Sequence, residues 1–202
     1  MAIVKEGYSL ILVMFATGLL LIFFGFWPAA VIFILLALFF MYFFRDPNIT
    51  VTQGEGLILS PCNGTVLEIK EKDNGQSVIR VFLSVFDVHL QRTPVSGTVK
   101  KVEYRPGKFL KANDPQAHIV NEKNIITIEN ENGVYVVEQI AGILARRCVS
   151  WVKPGDVLKA GDKIGVIKFG SQVDLYMPEG YKIDVKKGDT VVSGVTVFAS
   201  IR

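Results

Sequence analysis

Lys163-Ile164-Gly165-Val166-Ile167-Lys168 runs directly into Phe169-Gly170-Ser171-Gln172, and the reading of this stretch decides the rest of the chain. Ile164, Val166 and Ile167 give the first six residues the composition of a short strand. The same signature recurs upstream, at Leu57–Leu59, Gly64–Ile69, Ser77–Leu83, Gly97–Tyr104, Asn124–Glu129 and Val134–Ala141. Turn chemistry separates the runs: Asp73-Asn74-Gly75, Pro106-Gly107 and Asn130-Glu131-Asn132-Gly133. Many short strands with regular turns predict a mostly β domain, a compact β-sandwich or flattened barrel. Sustained helical periodicity is confined to the N-terminal segment. The polar stretch Asn113 to Lys123 reads as a mobile loop carrying His118 at the surface.

A more specific pattern surrounds the opening stretch. Val152-Lys153-Pro154-Gly155-Asp156-Val157 is followed by Lys159-Ala160-Gly161-Asp162-Lys163, and Val185-Lys186-Lys187-Gly188-Asp189-Thr190-Val191 repeats the theme. In such turns the glycine takes φ > 0 and the aspartate accepts hydrogen bonds from turn amides. These turns resemble those of biotinyl and lipoyl carrier domains. That likeness keeps a rival open, a membrane-anchored carrier or adaptor with Lys168 as the modified lysine.

The N-terminus is different in kind. From Gly7 to Phe44 there is no charged residue. A bilayer core of about 30 Å needs about 20 apolar helical residues, so the run is too long for one ordinary span. Pro28 breaks it near the middle. The expected arrangement is two helices, Tyr8–Phe26 and Pro28–Phe44, forming a membrane hairpin over residues 1–47 ahead of a β-rich domain over 48–202. Lys5 and Arg45 flank the hairpin and fit an arrangement with both ends, and the β-rich domain, on the cytoplasmic face of the cell membrane. A signal peptide is disfavoured because its apolar core is only about 7–15 residues. A re-entrant anchor in one leaflet stays open.

Half of the 202 residues are hydrophobic and the mean hydropathy is +0.38, largely through that segment. A net charge of +3 gives no footprint for nucleic acid. Cys62 and Cys148 lack metal-ligand spacing, so no metal site is expected, and both read as small buried hydrophobes rather than a disulfide.

Gly170-Ser171 carries the chemistry. A Gly-Ser bond is the usual place for a protein to cut its own backbone: the serine hydroxyl attacks the preceding carbonyl, and an ester replaces the amide. Elimination then frees a carboxyl terminus at Gly170 and leaves dehydroalanine, which hydrolyses to a pyruvoyl group and ammonia. Glycine lets the hydroxyl approach. Taken alone, the dipeptide also fits a hairpin tip.

Six ordered motifs change that balance. They are Phe43-Phe44-Arg45-Asp46-Pro47; Leu59-Ser60-Pro61-Cys62-Asn63-Gly64; Phe82-Leu83-Ser84-Val85-Phe86-Asp87-Val88-His89 with Arg92 and Pro94-Val95-Ser96-Gly97; Gln139-Ile140-Ala141-Gly142 with Ala145-Arg146-Arg147; Val152-Lys153-Pro154-Gly155-Asp156; and Ile167-Lys168-Phe169-Gly170-Ser171-Gln172-Val173-Asp174. In these the chain resembles the short-form, pyruvoyl-dependent phosphatidylserine decarboxylases, including archaetidylserine decarboxylase-like members. The resemblance implies a precursor that splits between Gly170 and Ser171. Ser171 then becomes the covalent pyruvoyl cofactor, and fragments 1–170 and 171–202 stay associated. It implies decarboxylation of phosphatidylserine, or a related serine phospholipid, to the ethanolamine lipid. The α-keto group does the electron-withdrawing work that pyridoxal phosphate does elsewhere. The lipid backbone, diacyl or ether, and the oligomeric state, monomer or homodimer, are left open.

The resemblance also places residues. His89 falls in the decarboxylation site, where an imidazole moves protons near neutral pH; read in isolation it is equally a core histidine. Asp87 is expected to orient its loop. Arg146 and Arg147 are candidates for the head-group phosphate or carboxylate. Neighbours on a strand alternate faces, so one of the two is assigned there without choosing between them. Lys100, Lys101, Arg105, Lys108 and Lys111 form a basic stretch that fits either anionic lipid or solvent, each charge worth about 1 kcal/mol near such a surface. Two positions depart from the family pattern. Longer members carry a second histidine where Arg92 stands, and short ones share the arginine. The usual Pro-x-Asp-Gly reads Pro61-Cys62-Asn63-Gly64 here, and asparagine holds no charge. Asn63 is therefore expected to slow or block maturation, as in a natural variant, an inactive lipid-binding paralogue or a chain altered to trap the precursor. Deamidation at Asn63-Gly64 would restore the acid slowly.

Overall fold

The computed structural model describes residues 2–71, 75–111, 114–143, 147–168 and 171–201. Contacts divide the chain into two compact units, Met1–Asn48 and Ile49–Arg202.

In the first unit, strand β1 (Ala2–Ile3) pairs antiparallel with β2 (Arg45–Asp46), and between them run helices α1 (Lys5–Phe23) and α2 (Trp27–Phe43). Both helices sit a few residues from the boundaries that sequence predicts. Gly25 takes φ +80° and the Phe26 amide reaches back to the Leu21 carbonyl at 2.8 Å, so α1 closes at Phe23. Pro28 then falls in the first turn of α2, where its missing N–H has no partner to lose; it starts a helix instead of kinking one. The helices meet along small residues. Gly18 and Ala30 are buried, and a methyl at Gly18 would come within 2.7 Å of Ile34. The outer faces expose Leu12, Phe23, Trp27 and Leu35.

The second unit is mostly β. Its strands are β3 (Leu57–Leu59), β4 (Gly64–Glu71), β5 (Ser77–Leu83), β6 (Leu90–Arg92), β7 (Gly97–Arg105), β8 (Lys123–Asn130), β9 (Gly133–Ala141), β10 (Cys148–Ser150), β11 (Val157–Leu158), β12 (Lys163–Ile167), β13 (Ser171–Met177), β14 (Tyr181–Ile183), β15 (Thr190–Val191) and β16 (Val197–Ile201). Eight of them form one curled antiparallel sheet in the order β11-β7-β8-β9-β13-β5-β4-β15. Two three-stranded sheets, β10-β12-β6 and β14-β16-β3, complete the unit. The core gathers Ile79, Val81, Ile126, Val137, Val173, Leu175 and Phe198, each essentially inaccessible. Full burial of side chains of this size stabilises by about 1.5–3 kcal/mol apiece.

The three Gly-Asp turns are built as their chemistry predicts. Gly155, Gly161 and Gly188 have φ of +95°, +85° and +92°. Asp156, Asp162 and Asp189 accept from the amides of Lys153, Lys159 and Lys186 at 2.9, 2.7 and 3.0 Å.

The stretch expected as a mobile loop differs. Ala117–Val120 is a helical turn, α3, and Asn121 to Asn124 are buried. The Asn121 side chain donates to the Leu110 and Ala141 carbonyls at 3.0 and 2.8 Å, which ties the segment to the sheet. His118 is half-buried beside Arg80 and Gln172 in a cleft of about 340 Å³, not at the open surface. Local polarity hid contacts that only the assembled sheet supplies.

Candidate active site

Strand β13 is the centre of the large sheet, paired with β5 on one side and β9 on the other. Ser171 is its first residue, opposite Leu83 and Ala141. It is fully buried, and among the described residues its hydroxyl has no hydrogen-bond partner. A buried hydroxyl without a partner costs roughly 1–3 kcal/mol and calls for an explanation. Phe169 and Gly170, and so the bond expected to break, lie outside the described residues.

The segment leading to Ser171 is anchored on the small sheet. The Ile167 amide donates to the His89 carbonyl at 3.1 Å, and the Lys168 amide to the Arg147 carbonyl at 3.2 Å. Ile167 thus ends a strand of the small sheet and Ser171 begins one of the large sheet, with His89 at the Ile167 anchor.

His89 is 1 % exposed. The turn before it is locked by Asp87, whose Oδ2 accepts from both the amide and the hydroxyl of Ser84 at 2.7 Å. The Asp87 carbonyl lies 3.0 Å from Nδ1 of His89. With Nδ1–H donating to that carbonyl, the lone pair of a neutral ring sits on Nε2. Asp87 therefore orients the histidine through its backbone while its carboxylate holds the turn. Buried amides extend this order into the sheet. The Gln91 side chain donates to the His89 carbonyl at 2.6 Å, Gln139 donates to Gln91 at 2.8 Å, and Asn124 donates to Gln139 at 3.2 Å.

Asn63 immediately precedes β4 and accepts from the Ser193 amide at 3.3 Å. Arg92 ends β6 opposite Lys163, on the side of that sheet away from Ile167, and donates to the Gly161 carbonyl at 2.9 Å. Arg147 is exposed and touches the site through its carbonyl, whereas Arg146 lies outside the described residues. Lys168 is half-buried next to the same anchor. In the basic stretch, Lys100 pairs with Glu129 at 2.8 Å and Arg105 with Glu103 at 2.6 Å, so acids on the same surface offset much of its charge.

Sequence reading missed a buried ionic cluster on the opposite face of β13. Arg80 donates to Asp174 at 3.0 Å and also contacts Glu68, and Gln172 donates to Asp174 at 2.6 Å. Burial pushes the Asp174 carboxyl up to about 6, although Gln172 and Arg80 pull it down. The available signal was a lone arginine inside the apolar run Val78–Leu83. Cys62 and Cys148 are both buried thiols, each pushed up mainly by burial.

The family profile described as phosphatidylserine decarboxylase matches residues 36–199, which includes every anchor of this site. The chain belongs to the phosphatidylserine decarboxylase family. Relatives cover it almost end to end. A phosphatidylserine decarboxylase proenzyme of Carboxydothermus hydrogenoformans is 42 % identical over 98 % of this chain and 96 % of its own. Those of Ehrlichia chaffeensis and Wolbachia pipientis wMel are 40 % and 39 % identical over 98 % of this chain and 91 % and 90 % of theirs. Within the family the chain is thus matched by decarboxylases made as precursors, with phosphatidylserine as the substrate that the family name carries.

Proposed function

We propose that this chain is a phosphatidylserine decarboxylase precursor that cuts itself between Gly170 and Ser171, converts Ser171 to a pyruvoyl group and works at a membrane surface. The observation that carries this reading is Ser171 itself, a fully buried serine whose hydroxyl has no partner among the described residues. A hydroxyl kept only for packing would be satisfied or replaced by alanine. One held for attack on its own peptide bond needs its lone pair uncommitted.

The same place fits the group that cleavage would make. A pyruvoyl cap at the start of β13 is smaller than the intact peptide and is flanked by Leu83 and Ala141, which leave it dry. When formed, it supplies an electron-withdrawing carbonyl for loss of carbon dioxide. His89, whose carbonyl anchors Ile167, is proposed to hold or deliver a proton through Nε2. Arg146 or Arg147 is proposed for the head-group anion.

Topology supports continued association of the two proposed fragments. Residues 171–201 contribute β13 between β5 and β9, β15 beside β4, and β16 beside β3. A cut at 170 leaves all of these ladders in place. Residues 1–48 are the proposed anchor. At 19 residues α1 is about 28 Å long, the thickness of a hydrocarbon core. A lipid substrate stays in the bilayer, so the catalytic unit is proposed to be held at its cytoplasmic face.

Denaturing mass spectrometry of the purified chain tests the reading. Two species are expected, residues 1–170 and 171–202, the smaller refusing amino-terminal sequencing. Ser171→Ala should remove both the split and carbon dioxide release from phosphatidylserine. An intact chain that stays intact after Asn63→Asp would refute it.

A further inference from the structure

Ser171 lies in a transverse row of the large sheet. Thr65 pairs with Phe82, which sets Gly64 beside Leu83; Leu83 pairs with Ser171, and Ser171 with Ala141. The Ala141 amide donates to the Glu122 carbonyl at 2.9 Å, so Glu122 ends the row. Residues in one row share a face. Leu83 and Ala141 belong to the core, so this row points inward.

Glu122 is only 7 % exposed, and its Oε1 has no hydrogen-bond partner. Among the described residues of the β unit, the other buried side-chain oxygen in that state is Ser171 Oγ. Two unpaired oxygens thus occupy one row, with a single side chain between them. That side chain is only the methyl of Ala141. Two strand spacings separate the backbones by about 10 Å, and the inward curl of the sheet brings side-chain ends closer than their backbones. Glu122 also acts on Tyr104, two strands beyond β9 on β7, and on Cys148, beside the cleavage segment. Its carboxylate is the leading cause that raises the Tyr104 phenol, and after burial it is the next that raises the Cys148 thiol, opposite Ile167. Asn63, one residue before Gly64, adjoins the far end of the same row. Ser171 therefore lies between Gly64, which follows the uncharged Asn63, at one end of the row and the buried Glu122 at the other.

We propose that Glu122 is the base that takes the Ser171 proton when the chain cuts itself, supplying the charge that Asn63 lacks. The inference rests on the self-cleavage reading. The hydroxyl proton passes to the Glu122 carboxylate as Oγ bonds to the Gly170 carbonyl carbon. The bond from that carbon to the nitrogen of residue 171 breaks. Glu122 returns the proton to the departing nitrogen, leaving an ester and a free amine. Base catalysis asks for hydrogen-bond reach, direct or through one water; the two oxygens are not paired with each other, so the proposed reach is through one water.

The test follows splitting of the freshly made full-length chain on denaturing gels, with thermal midpoints measured beside it. Glu122→Gln should slow splitting about a hundredfold at an unchanged midpoint. Adding Asn63→Asp to that variant should restore the rate, because a second carboxylate enters from the other side; a packing defect at 122 would not be repaired from 63. No slowing, slowing with a lowered midpoint, or no restoration overturns the proposal. If Glu122→Gln shows no thermal transition, Glu122→Asp decides instead. It keeps the acid on a shorter arm and should split more slowly than the parent; an equal rate overturns the proposal. A parent chain that stays whole even with Asn63→Asp defeats the self-cleavage reading and this proposal together. A parent that splits as fast as Glu122→Gln defeats this proposal alone.

Discussion

The carbonyl of His89 accepts the amide hydrogen of Ile167 at 3.1 Å, so a backbone bond straps the histidine to the segment that leads into Ser171. Any residue at 89 keeps that bond, which separates the ring from the anchor. His89→Ala should therefore still split into two fragments, while carbon dioxide release falls by about a hundredfold or more. Loss of splitting as well would assign the ring to maturation.

Asn63 accepts from the Ser193 amide at 3.3 Å, and the neighbouring Ser193 hydroxyl donates to Pro61 at 3.1 Å. An aspartate keeps that acceptor and adds a charge, so Asn63→Asp should preserve the fold. Splitting of new protein should speed up at least about tenfold, since acid–base assistance contributes a hundredfold or more where it is complete. Pulse labelling followed by gel separation reads the rate directly. Prompt, complete splitting of the parent would show that Asn63 imposes no delay.

Local chemistry was the legible part of this chain. Leu57–Leu59 and Ser77–Leu83 fall where their β-branched composition puts them, and the Gly-Asp turns close as their residues dictate. Ser171–Met177 did not announce itself, although it is the central strand. Gln172 and Asp174 occupy its outer face, and their burial depends on Arg80, which is distant in sequence. Glu122 was hidden for a similar reason, since Glu122-Lys123 looks like a solvated pair until β9 and β13 are laid beside it. Motifs pointed to Ser171 and His89; strand register alone connects Glu122 and Gln139 with them.

Asp174 gives a pH signature. Burial raises its carboxyl to about 6 in the folded protein, against about 3.9 in an unfolded chain. Between those values the folded state keeps a proton that the unfolded state releases. The stabilisation from this group is therefore full below about 4 and is lost as pH rises through about 6. Thermal midpoints in detergent should show the parent losing ground to Asp174→Asn across that window, and the difference should level off above it. A gap that moves in favour of the parent with rising pH would mean that Arg80 outweighs burial.

Gly165 lies in β12, two residues before the Ile167 anchor and opposite Ser150. A methyl there would sit 2.2 Å from the Val149 carbonyl oxygen and 2.6 Å from the Gln139 amide nitrogen. The first is backbone of a paired strand and the second belongs to the buried amide chain below His89, so neither yields without moving the site. Gly165→Ala should cost about 1–3 kcal/mol by overpacking, and it should slow splitting because the segment entering Ser171 is displaced. Gly155→Ala supplies the contrast. No atom lies within 4 Å of its added methyl, and only its φ of +95° opposes the change. It should lower the thermal midpoint while leaving the splitting rate untouched; equal slowing by both variants would mean that global stability, not the path through Ile167, controls the cut.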